Sequence, residues 1–364
     1  MSIPHSTEFR DPVVARQLTE QIRKISKKKV QLMEVCGTHT TAIFRSGIRS
    51  MLPETIRLIS GPGCPVCVTS QREIDLFLAL SGIENGVVTT FGDLMRVPGS
   101  TSSLQKERAL GRDIRVVYST MDAIEIAKRN PEKHVIFLGV GFETTAPTIA
   151  ASLIVAKESK ITNFYVASAH KLVPPAMEVL LGSPSIQVDG FMLPGHVSVI
   201  IGEKAYRHIV ETHRVPCVIT GFEPSDILQG ILSLVMQIET GDAKLENAYP
   251  RAVLPEGNPK AQQILNRVFE AVDAQWRGIG MIPKSGLHIK KEFEQFDALK
   301  RFGIVVGDSI EPKGCACGAV LTGAITPPEC VLFKKICTPE EPIGPCMVSS
   351  EGTCAAYYRF HPDR

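Results

Sequence analysis

The chain has 364 residues, enough for two or three domains with well-buried cores, and 44% of them are hydrophobic. Its 40 basic and 38 acidic residues give a net charge of +2, which excludes a global field that recruits nucleic acid or an anionic membrane. No apolar run approaches the roughly 20 residues needed to span a bilayer, and charges throughout the first thirty positions exclude a secretory signal. We therefore expect a cytoplasmic protein. In that reducing compartment, closely spaced cysteines indicate metal binding or catalysis rather than structural disulfides.

The first two thirds of the chain have the spacing of repeated βα units. A helix is predicted at 12–26, where it would pack on the body of the protein. Eight short apolar, β-branched runs follow at intervals of about 25 to 30 residues. Helix-like stretches lie between them, for example at 73–80, 121–129, 147–157 and 175–181. Near-continuous apolar strands that alternate with helices predict parallel sheets covered on both faces. The predicted strands are 30–35, 56–60, 87–91, 114–118, 134–138, 163–167, 188–193 and 216–220.

The predicted strands divide into two sets of four near residue 130. The second set also repeats a phrase, Gly-Phe-Glu-Thr at 141–144 and Gly-Phe-Glu-Pro at 221–224. We therefore predict an N-terminal helix within 1–29 and two similar α/β domains, 30–130 and 131–230, that face one another across a cleft. After about residue 230 the βα rhythm stops. A helical stretch at 259–276 and a segment rich in Pro, Gly and Cys predict a third domain, 231–364. The predicted fold class is α/β with a Cys-rich, iron–sulfur C-terminal domain.

Chemically distinctive side chains come immediately after the predicted strands. Cys36 and His39 follow the first strand, and Cys64 and Cys67 follow the second. In parallel α/β sheets, ligands bind outside the carboxyl ends of the strands. In a protein without a site at this edge, such residues would occur at both ends of the strands. Here they occur only after the strands, which favours a site. The further residues in this position are Asp93, Glu143, His170, His196 and Glu223.

Residues 61–67 read Gly-Pro-Gly-Cys-Pro-Val-Cys and combine a C-x-x-C pair with glycines that permit a tight turn. On a loop that enters a helix, the first thiol, Cys64, gains thiolate character from the helix N-terminus. Such a pair either binds metal or cycles between dithiol and disulfide. A four-cysteine zinc site would need a second C-x-x-C, which the chain lacks. Redox cycling of Cys64 and Cys67 is therefore favoured over structural zinc.

Residues 36–39 read Cys-Gly-Thr-His and bring a thiol and an imidazole to the end of the first strand. Both groups are suitable ligands for iron, copper or zinc. The alternative is a buried cysteine beside a helix-capping threonine. The neighbouring C-x-x-C pair favours a functional role for Cys36 and His39.

Residues 139–147 read Gly-Val-Gly-Phe-Glu-Thr-Thr-Ala-Pro, follow a predicted strand and open a helix. The pattern resembles a truncated dinucleotide fingerprint, but Thr144 replaces the third glycine and the bulky Phe142 intrudes. No phosphate-binding G-x-x-x-x-G-K-[ST] loop occurs in the chain. We therefore expect a loop that turns Glu143 toward the cleft rather than a nucleotide site. His196, in a Pro-Gly-His-Val-Ser segment that begins with a turn, is the histidine expected in the same cleft.

Six of the ten cysteines lie within the last fifty residues, which is the density of a metal cluster site. Four thiolates satisfy a [4Fe–4S] cluster, so two of the six would be spare. The spacings match neither the bacterial ferredoxin run nor a zinc ribbon with two C-x-x-C knuckles. An irregular quartet held by loops favours an iron–sulfur cluster over zinc. The six are Cys315, Cys317, Cys330, Cys337, Cys346 and Cys354.

Six motifs along the chain closely resemble the HypD family, the maturation factors of [NiFe] hydrogenases. They read Glu-Val-Cys-Gly-Thr-His-Thr at 34–40, Gly-Pro-Gly-Cys-Pro-Val-Cys at 61–67, Phe-Gly-Asp at 91–93, Gly-Phe-Glu-Thr-Thr at 141–145, Pro-Gly-His-Val-Ser at 194–198 and Met-Val-Ser-Ser-Glu-Gly at 347–352. The resemblance runs from about residue 30 to the C-terminus. It implies three domains, two of them similar α/β units, with a [4Fe–4S] cluster in the third. It also implies a cytoplasmic scaffold on which the Fe(CN)2CO group is built, working with a HypC-type chaperone and a HypE-type cyanide donor.

The resemblance implies roles for particular residues. The transient iron would lie near Cys36, with His39 close by, and Cys64 and Cys67 would form a redox-active pair. We expect the cleft around them to be lined further by Asp93, Glu143 and His196. By the same resemblance, the cluster ligands are Cys317, Cys330, Cys337 and Cys354, which leaves Cys315 and Cys346 as the two spare thiols.

Two other functions remain open from the sequence. An iron–sulfur thiol–disulfide reductase that acts on small disulfide proteins would use the same C-x-x-C pair and cluster. Such an enzyme has no use for a second thiol–imidazole site at Cys36 and His39, whereas an iron scaffold needs one. A zinc-stabilised α/β protein that binds a sugar or nucleotide would be colourless when purified, whereas a [4Fe–4S] cluster is brown.

Overall fold

The computed structural model describes residues 7–183 and 186–360, and all eight predicted strands are present there with ends shifted by a residue or two. Three further strands, the short β9 and the hairpin formed by β10 and β11, were not predicted. The strands are β1 (Val30–Glu34), β2 (Ile56–Ser60), β3 (Gly86–Thr90), β4 (Ile114–Val116), β5 (His134–Gly139), β6 (Phe164–Ser168), β7 (Gly190–Pro194), β8 (Cys217–Thr220), β9 (Leu245–Asn247), β10 (Phe269–Trp276) and β11 (Gly280–Ile289).

The helices are α1 (Pro12–Ile25), α2 (Gly37–Arg45), α3 (Ile48–Met51), α4 (Pro65–Val68), α5 (Gln71–Leu80), α6 (Leu104–Ala109), α7 (Thr120–Arg129), α8 (Ala146–Glu158), α9 (Val173–Leu181), α10 (Gly195–Ile201), α11 (Arg207–His213), α12 (Pro224–Thr240), α13 (Pro259–Val268), α14 (Ala298–Phe302), α15 (Cys317–Leu321), α16 (Pro345–Val348) and α17 (Thr353–Phe360). Local sequence fixes where several of them begin. Ser70 and Glu73 form a capping box at α5, and Ser119 and Asp122 form another at α7.

Two parallel sheets form the body of the protein, but the chain does not build them one after the other. The first sheet has the strand order β2-β1-β7-β8-β9, and the second has the order β4-β3-β5-β6. The chain therefore leaves the first sheet after β2, builds the second with β3 to β6, and returns to the first at β7. The predicted division of the strands between 30–130 and 131–230 is wrong for this reason. A helical crossover can lead to either sheet, and the spacing of strands along the chain does not reveal which.

The two sheets nevertheless share one strand order. When each is numbered from its own first strand, both read 2-1-3-4, and β9 extends the first sheet by one strand. The prediction of two similar α/β units is therefore confirmed. In this order the chain changes direction between the first and third strands, and a ligand crevice opens there at the carboxyl ends. These switch points lie between β1 and β7 in the first sheet and between β3 and β5 in the second.

The C-terminal part differs from its prediction in two places. Helix α13 ends at Val268, and the residues up to 276 that were predicted to continue it form β10, which pairs antiparallel with β11. Tertiary pairing overrides the local helical pattern here. Strand β9 pairs with β8, so the first sheet extends beyond the predicted boundary at 230. The Cys-rich segment that follows α14 is largely irregular, with the short helices α15 and α16.

One hydrophobic cluster joins the two α/β units. It includes Met33 from the first sheet, Val88 and Ile136 from the second, and Trp276 from the hairpin. Helix α1 packs against α12 beside the first sheet. The helices within 7–183 and 186–360 include none with the length and apolar character needed to cross a membrane.

Candidate functional site

The carboxyl ends of both sheets meet at a cavity of about 250 Å³, here called the Cys36 cavity. The loops after β1, β2, β3, β5 and β7 all contribute to its wall, so residues from both switch points face it. This is where a parallel sheet binds its ligand. The lining side chains discussed below are Cys36, Thr38, Asp93, Phe142, His196 and Glu351.

Cys36 is the N-cap residue of α2, at the turn that follows β1. The backbone N–H groups of His39 and Thr38 favour its thiolate, but burial has the larger effect and raises the pKa of Cys36 to about 12. A Cβ atom on Gly63 would collide with the backbone of Cys36, so the loop after β2 can approach this closely only with glycine at that position. Cys36 is therefore a neutral thiol held at the cavity wall, and a soft metal ion that binds it must displace a proton.

Cys64 and Cys67 lie on the loop and short helix that follow β2, and the structure joins their sulfurs in a disulfide. Their Cα atoms are 5.2 Å apart, within the usual range for such a bond. Both residues are buried, and the backbone N–H of Cys67 donates to the sulfur of Cys64 at 3.2 Å. Neighbouring residues Gly63, Pro65 and Val66 line the Cys36 cavity, while the disulfide lies just behind that wall.

His39 is fully buried and is not part of the cavity wall. Its Nε2 donates to the carbonyl of Gly221 at 2.8 Å and lies 2.9 Å from the hydroxyl of Thr220. Because a carbonyl can only accept, Nε2 carries the proton and Nδ1 is the basic nitrogen; Nδ1 has no hydrogen-bond partner among the described residues. Burial lowers the pKa of His39 to about 4, so the ring is neutral. A histidine that ligates a metal usually donates its other ring N–H to a carbonyl, and His39 shows that arrangement.

Two carboxylates face the Cys36 cavity, and sequence reasoning identified only one of them. Asp93 follows β3 as predicted and accepts a hydrogen bond from Ser349 at 3.0 Å. Glu351 was missed, although it lies in one of the motifs that carried the family resemblance. Its Oε1 accepts a 2.5 Å hydrogen bond from Thr38. Burial, with a smaller contribution from the nearby Asp93, raises the pKa of Glu351.

His196 lies at the start of α10 and faces the Cys36 cavity, as predicted. Its ring stacks on Phe222, with centroids 3.9 Å apart, and partial burial lowers its pKa. The ring of His39 also stacks on Phe222, with the two centroids 4.6 Å apart. Phe222 therefore holds both imidazoles in place. Phe222 belongs to the repeated Gly-Phe-Glu motif, but the motif itself did not indicate a role for this residue.

Glu143 does not face the Cys36 cavity with the other predicted residues. Its neighbours Phe142 and Thr144 line that cavity, whereas Glu143 points to the other side of the loop and lines a second cavity. Of the remaining strand-end residues, His170 is buried with its Nδ1 near the Ser168 hydroxyl, and Glu223 pairs with Arg10. The expectation that Glu143 lines the same cleft as Cys36 is wrong. A position after a parallel strand determines at which edge of the sheet a residue lies, but it does not determine to which side of the loop the side chain points.

All six C-terminal cysteines line one small enclosed cavity, between the short helices α15 and α16 and the start of α17. Phe333 and Met347 also line it, and Cys317, Cys337 and Cys346 are the buried members of the six. No three His, Cys, Asp or Glu side chains within the described ranges are arranged to hold a single metal ion. A four-iron cluster makes a different demand, since each of its thiolates binds a separate iron. A set of six thiols around one small cavity fits that donor requirement.

Two of the six cysteines contact each other directly. The sulfurs of Cys317 and Cys346 are 2.9 Å apart, and both residues are almost completely buried. Side-chain hydrogen bonds also join Cys315 to Cys317 and Cys346 to Cys354, so these contacts link four of the six thiols and do not single out the cluster ligands. Helices α15 and α16, which carry them, pack against α4, which carries Cys67. The cysteine cavity and the Cys64–Cys67 pair therefore lie on either side of this contact.

Comparison with known proteins identifies the family of this chain. Residues 13–361 match the HypD family model, described as Hydrogenase formation hypA family. The chain belongs to the HypD family. The resemblance drawn from the six sequence motifs is thereby confirmed.

Relatives within the family match this chain over nearly its whole length. A protein named Hydrogenase maturation factor HypD from Cupriavidus necator is 45% identical over 363 residues, which cover 97% of this chain and 96% of that protein. Proteins of the same name from Azotobacter vinelandii and Rhodobacter capsulatus are each 44% identical, over 98% of this chain and 97% of their own length.

Proposed function

We propose that this protein takes part in the maturation of [NiFe] hydrogenases, as the scaffold on which the Fe(CN)2CO group is assembled. The observation that carries the proposal is the Cys36 cavity, where one thiol, two carboxylates and an imidazole meet at the switch points of both sheets. The relatives named hydrogenase maturation factor support the biological setting. The proposed partners are a HypC-type chaperone and a HypE-type cyanide donor.

The side chains around Cys36 suit a transient iron that is the cargo of the protein. Cys36 supplies a soft, charged ligand once its proton is displaced. Asp93 and Glu351 favour a cation in the cavity. His39 is kept as the second ligand that the family resemblance implies; its Nδ1 has no partner among the described residues, but the ring lies outside the cavity wall and would have to turn to reach the metal. Few protein ligands leave open coordination positions, and these are required if diatomic ligands are to be added to the metal.

The cysteine cavity is the proposed site of a resident [4Fe–4S] cluster. Cys330, Cys337 and Cys354 are three of its proposed ligands. The fourth is Cys317, as the family resemblance implies, and all four line the cavity. When bound, such a cluster supplies one-electron transfer. The protein's own contribution is the apolar enclosure and the short path through α15 and α16 toward the Cys64–Cys67 pair, which is proposed to cycle between dithiol and disulfide.

The experiment that tests the scaffold compares variants in cells that make a [NiFe] hydrogenase. Cys36→Ala is expected to abolish hydrogenase activity and the cyanide and carbonyl infrared bands of the purified protein complex. His39→Ala should weaken both less, because water can replace a neutral imidazole. Cys217→Ala is the matched control, since this buried thiol in β8 lies outside the Cys36 cavity. Normal maturation with Cys36→Ala would overturn the scaffold and put the iron–sulfur thiol–disulfide reductase first.

A further inference from the structure

A second cavity lies behind the loop that forms one wall of the Cys36 cavity, and we call it the Glu143 cavity. Its volume of about 520 Å³ lies within the range of sites for small organic ligands. The start of α9, the end of α10, helix α13 and the β10–β11 hairpin enclose it. Most of its wall is apolar, including Leu172, Ile200, Leu265, Phe269 and Leu287.

Three charged residues line this space, Glu143, Glu270 and Lys290, and Glu143 is the buried one. The residue is 3% exposed. Its Oε1 accepts a hydrogen bond from the backbone N–H of Val173 at 3.0 Å, and its Oε2 has no partner among the described residues. A buried carboxyl oxygen without a partner is costly, by about 1–3 kcal/mol or more. The residue therefore has an unmet requirement for a hydrogen-bond donor.

No cation of the described chain meets this requirement. Glu143 forms no ion pair within 7–183 and 186–360. Lys290 also lines the cavity, but its ammonium group donates to the carbonyl of Asn266. Burial raises the pKa of Glu143 to about 7, which is the effect expected when nothing nearby compensates the negative charge.

We propose that the Glu143 cavity binds a small organic ammonium compound, whose apolar body fills the apolar space and whose charged head pairs with the Glu143 carboxylate after a turn of the side chain brings the buried Oε2 to the cavity. A neutral donor such as a hydroxyl would satisfy the hydrogen bond alone. An ammonium group satisfies the hydrogen bond and also neutralises the carboxylate, and charge-assisted bonds of this kind are about twice as strong as neutral ones. The apolar wall then favours a ligand whose body is hydrocarbon rather than polar.

The Glu143 cavity is in contact with the candidate iron site through one loop. Residues 140–142, 144 and 145 line the Cys36 cavity, and Glu143 between them lines the other. A bound amine would therefore touch the back of the wall that faces Cys36. The inference does not depend on the proposed scaffold function, since it concerns a different cavity and a different ligand.

The test uses the purified full-length protein and two probes with the same hydrocarbon body, phenethylamine and 2-phenylethanol. Ligand-observed NMR titration gives a dissociation constant for each probe. The pH is kept above the pKa of Glu143, so that its side chain is ionised. The amine is expected to bind about tenfold more tightly than the alcohol, as a charge-assisted bond predicts. In Glu143→Gln this preference should disappear. Glu132→Gln, which changes an exposed carboxylate on a surface loop, is the matched control and should retain it.

A third variant checks where the probe binds. Ala205 is exposed and lines the cavity, so Ala205→Trp should narrow the entrance and weaken binding of both probes. This variant also keeps the test decisive if Glu143→Gln does not fold. The proposal is overturned if phenethylamine shows no saturable binding, if both probes bind equally to the unmodified protein, or if the amine preference survives in Glu143→Gln. Undiminished binding to Ala205→Trp would overturn it as well, because the amine would then be bound elsewhere.

Discussion

The hydroxyl of Thr38 donates a 2.5 Å hydrogen bond to the carboxylate of Glu351, joining the loop after β1 to the end of the Cys-rich segment. Gly37 strengthens the junction, because a Cβ atom there would collide with the backbone carbonyl of Glu351. The segment that carries the clustered cysteines is thereby closed against the loop that carries Cys36. A change at this junction should affect both regions of the protein.

The first prediction concerns the stability of this junction. Thr38→Val keeps the shape of the side chain but leaves Oε1 of the largely buried Glu351 without its donor. The free energy of unfolding should fall by about 1–3 kcal/mol. Urea unfolding followed by circular dichroism measures the change. Thr41→Val is the control, since its hydroxyl donates to the carbonyl of Ser350 at an exposed position and its loss should cost much less. Equal effects of the two variants would contradict the assigned role of the Thr38–Glu351 bond.

The edge of the sheets where the site lies could be predicted from the sequence. Cys36, Asp93 and His196 each follow an apolar run, and the carboxyl ends of parallel strands share one edge. To predict that these three residues share one cavity, it is therefore enough to locate the strands in the sequence. Glu143 follows a strand in the same way but lines a different cavity, because the backbone of a single loop residue decides which side the carboxylate takes.

Features that depend on long-range contacts could not be predicted from the sequence. Glu351 lies in irregular sequence without a strand before it, and long-range contacts such as its hydrogen bond with Thr38 and the Ser349–Asp93 bond bring it to the site. Strand spacing did not reveal that β7 returns to the first sheet, since its crossover resembles the others. The residues of β10 form a strand only because β11 is available to pair with them.

The second prediction concerns the ligands of the proposed cluster. Serine binds iron poorly, so Cys330→Ser, Cys337→Ser and Cys354→Ser should each remove the brown colour of anaerobically purified protein. Absorption spectra and iron content measure the loss. Cys317→Ser should behave in the same way, whereas Cys315→Ser and Cys346→Ser should stay brown. A brown Cys317→Ser together with a colourless Cys315→Ser would contradict this set of ligands.

The third prediction is that Cys64 and Cys67 are the first cysteines to join on oxidation. Their Cα separation already suits a disulfide, and the backbone N–H of Cys67 donates to the sulfur of Cys64. Mass spectrometry after graded oxidation and alkylation should find this pair linked before any other. A Cys67→Ser variant serves as the control and should leave Cys64 open to alkylation. Free alkylation of both thiols in fully oxidised protein would exclude the redox role.

The last prediction uses the raised pKa of Glu143, which moves from an ordinary 4.5 to about 7 in the folded protein. Between these values the folded state retains a proton that the unfolded state has lost. Stability from the protonated side chain is therefore fully present below pH 4.5 and is lost as the pH rises through about 7. Glu143→Gln stays neutral at every pH, and its amide oxygen can still accept from Val173. The variant should become more stable relative to the unmodified protein across this window and level off above it.

The buried His39 and His170 act in the opposite direction, because burial lowers their pKa values to about 4 and about 3. They make the protein less stable as the pH falls below the ordinary histidine value of 6.5, and they are present in both proteins. The quantity to measure is thus the difference in urea midpoint between Glu143→Gln and the unmodified protein, in which the histidine contributions cancel. Glu132→Gln, with an exposed carboxylate, should show no such trend. A difference for Glu143→Gln that stays constant from pH 4.5 to 7 would mean that Glu143 ionises normally, as it would if water reached its Oε2.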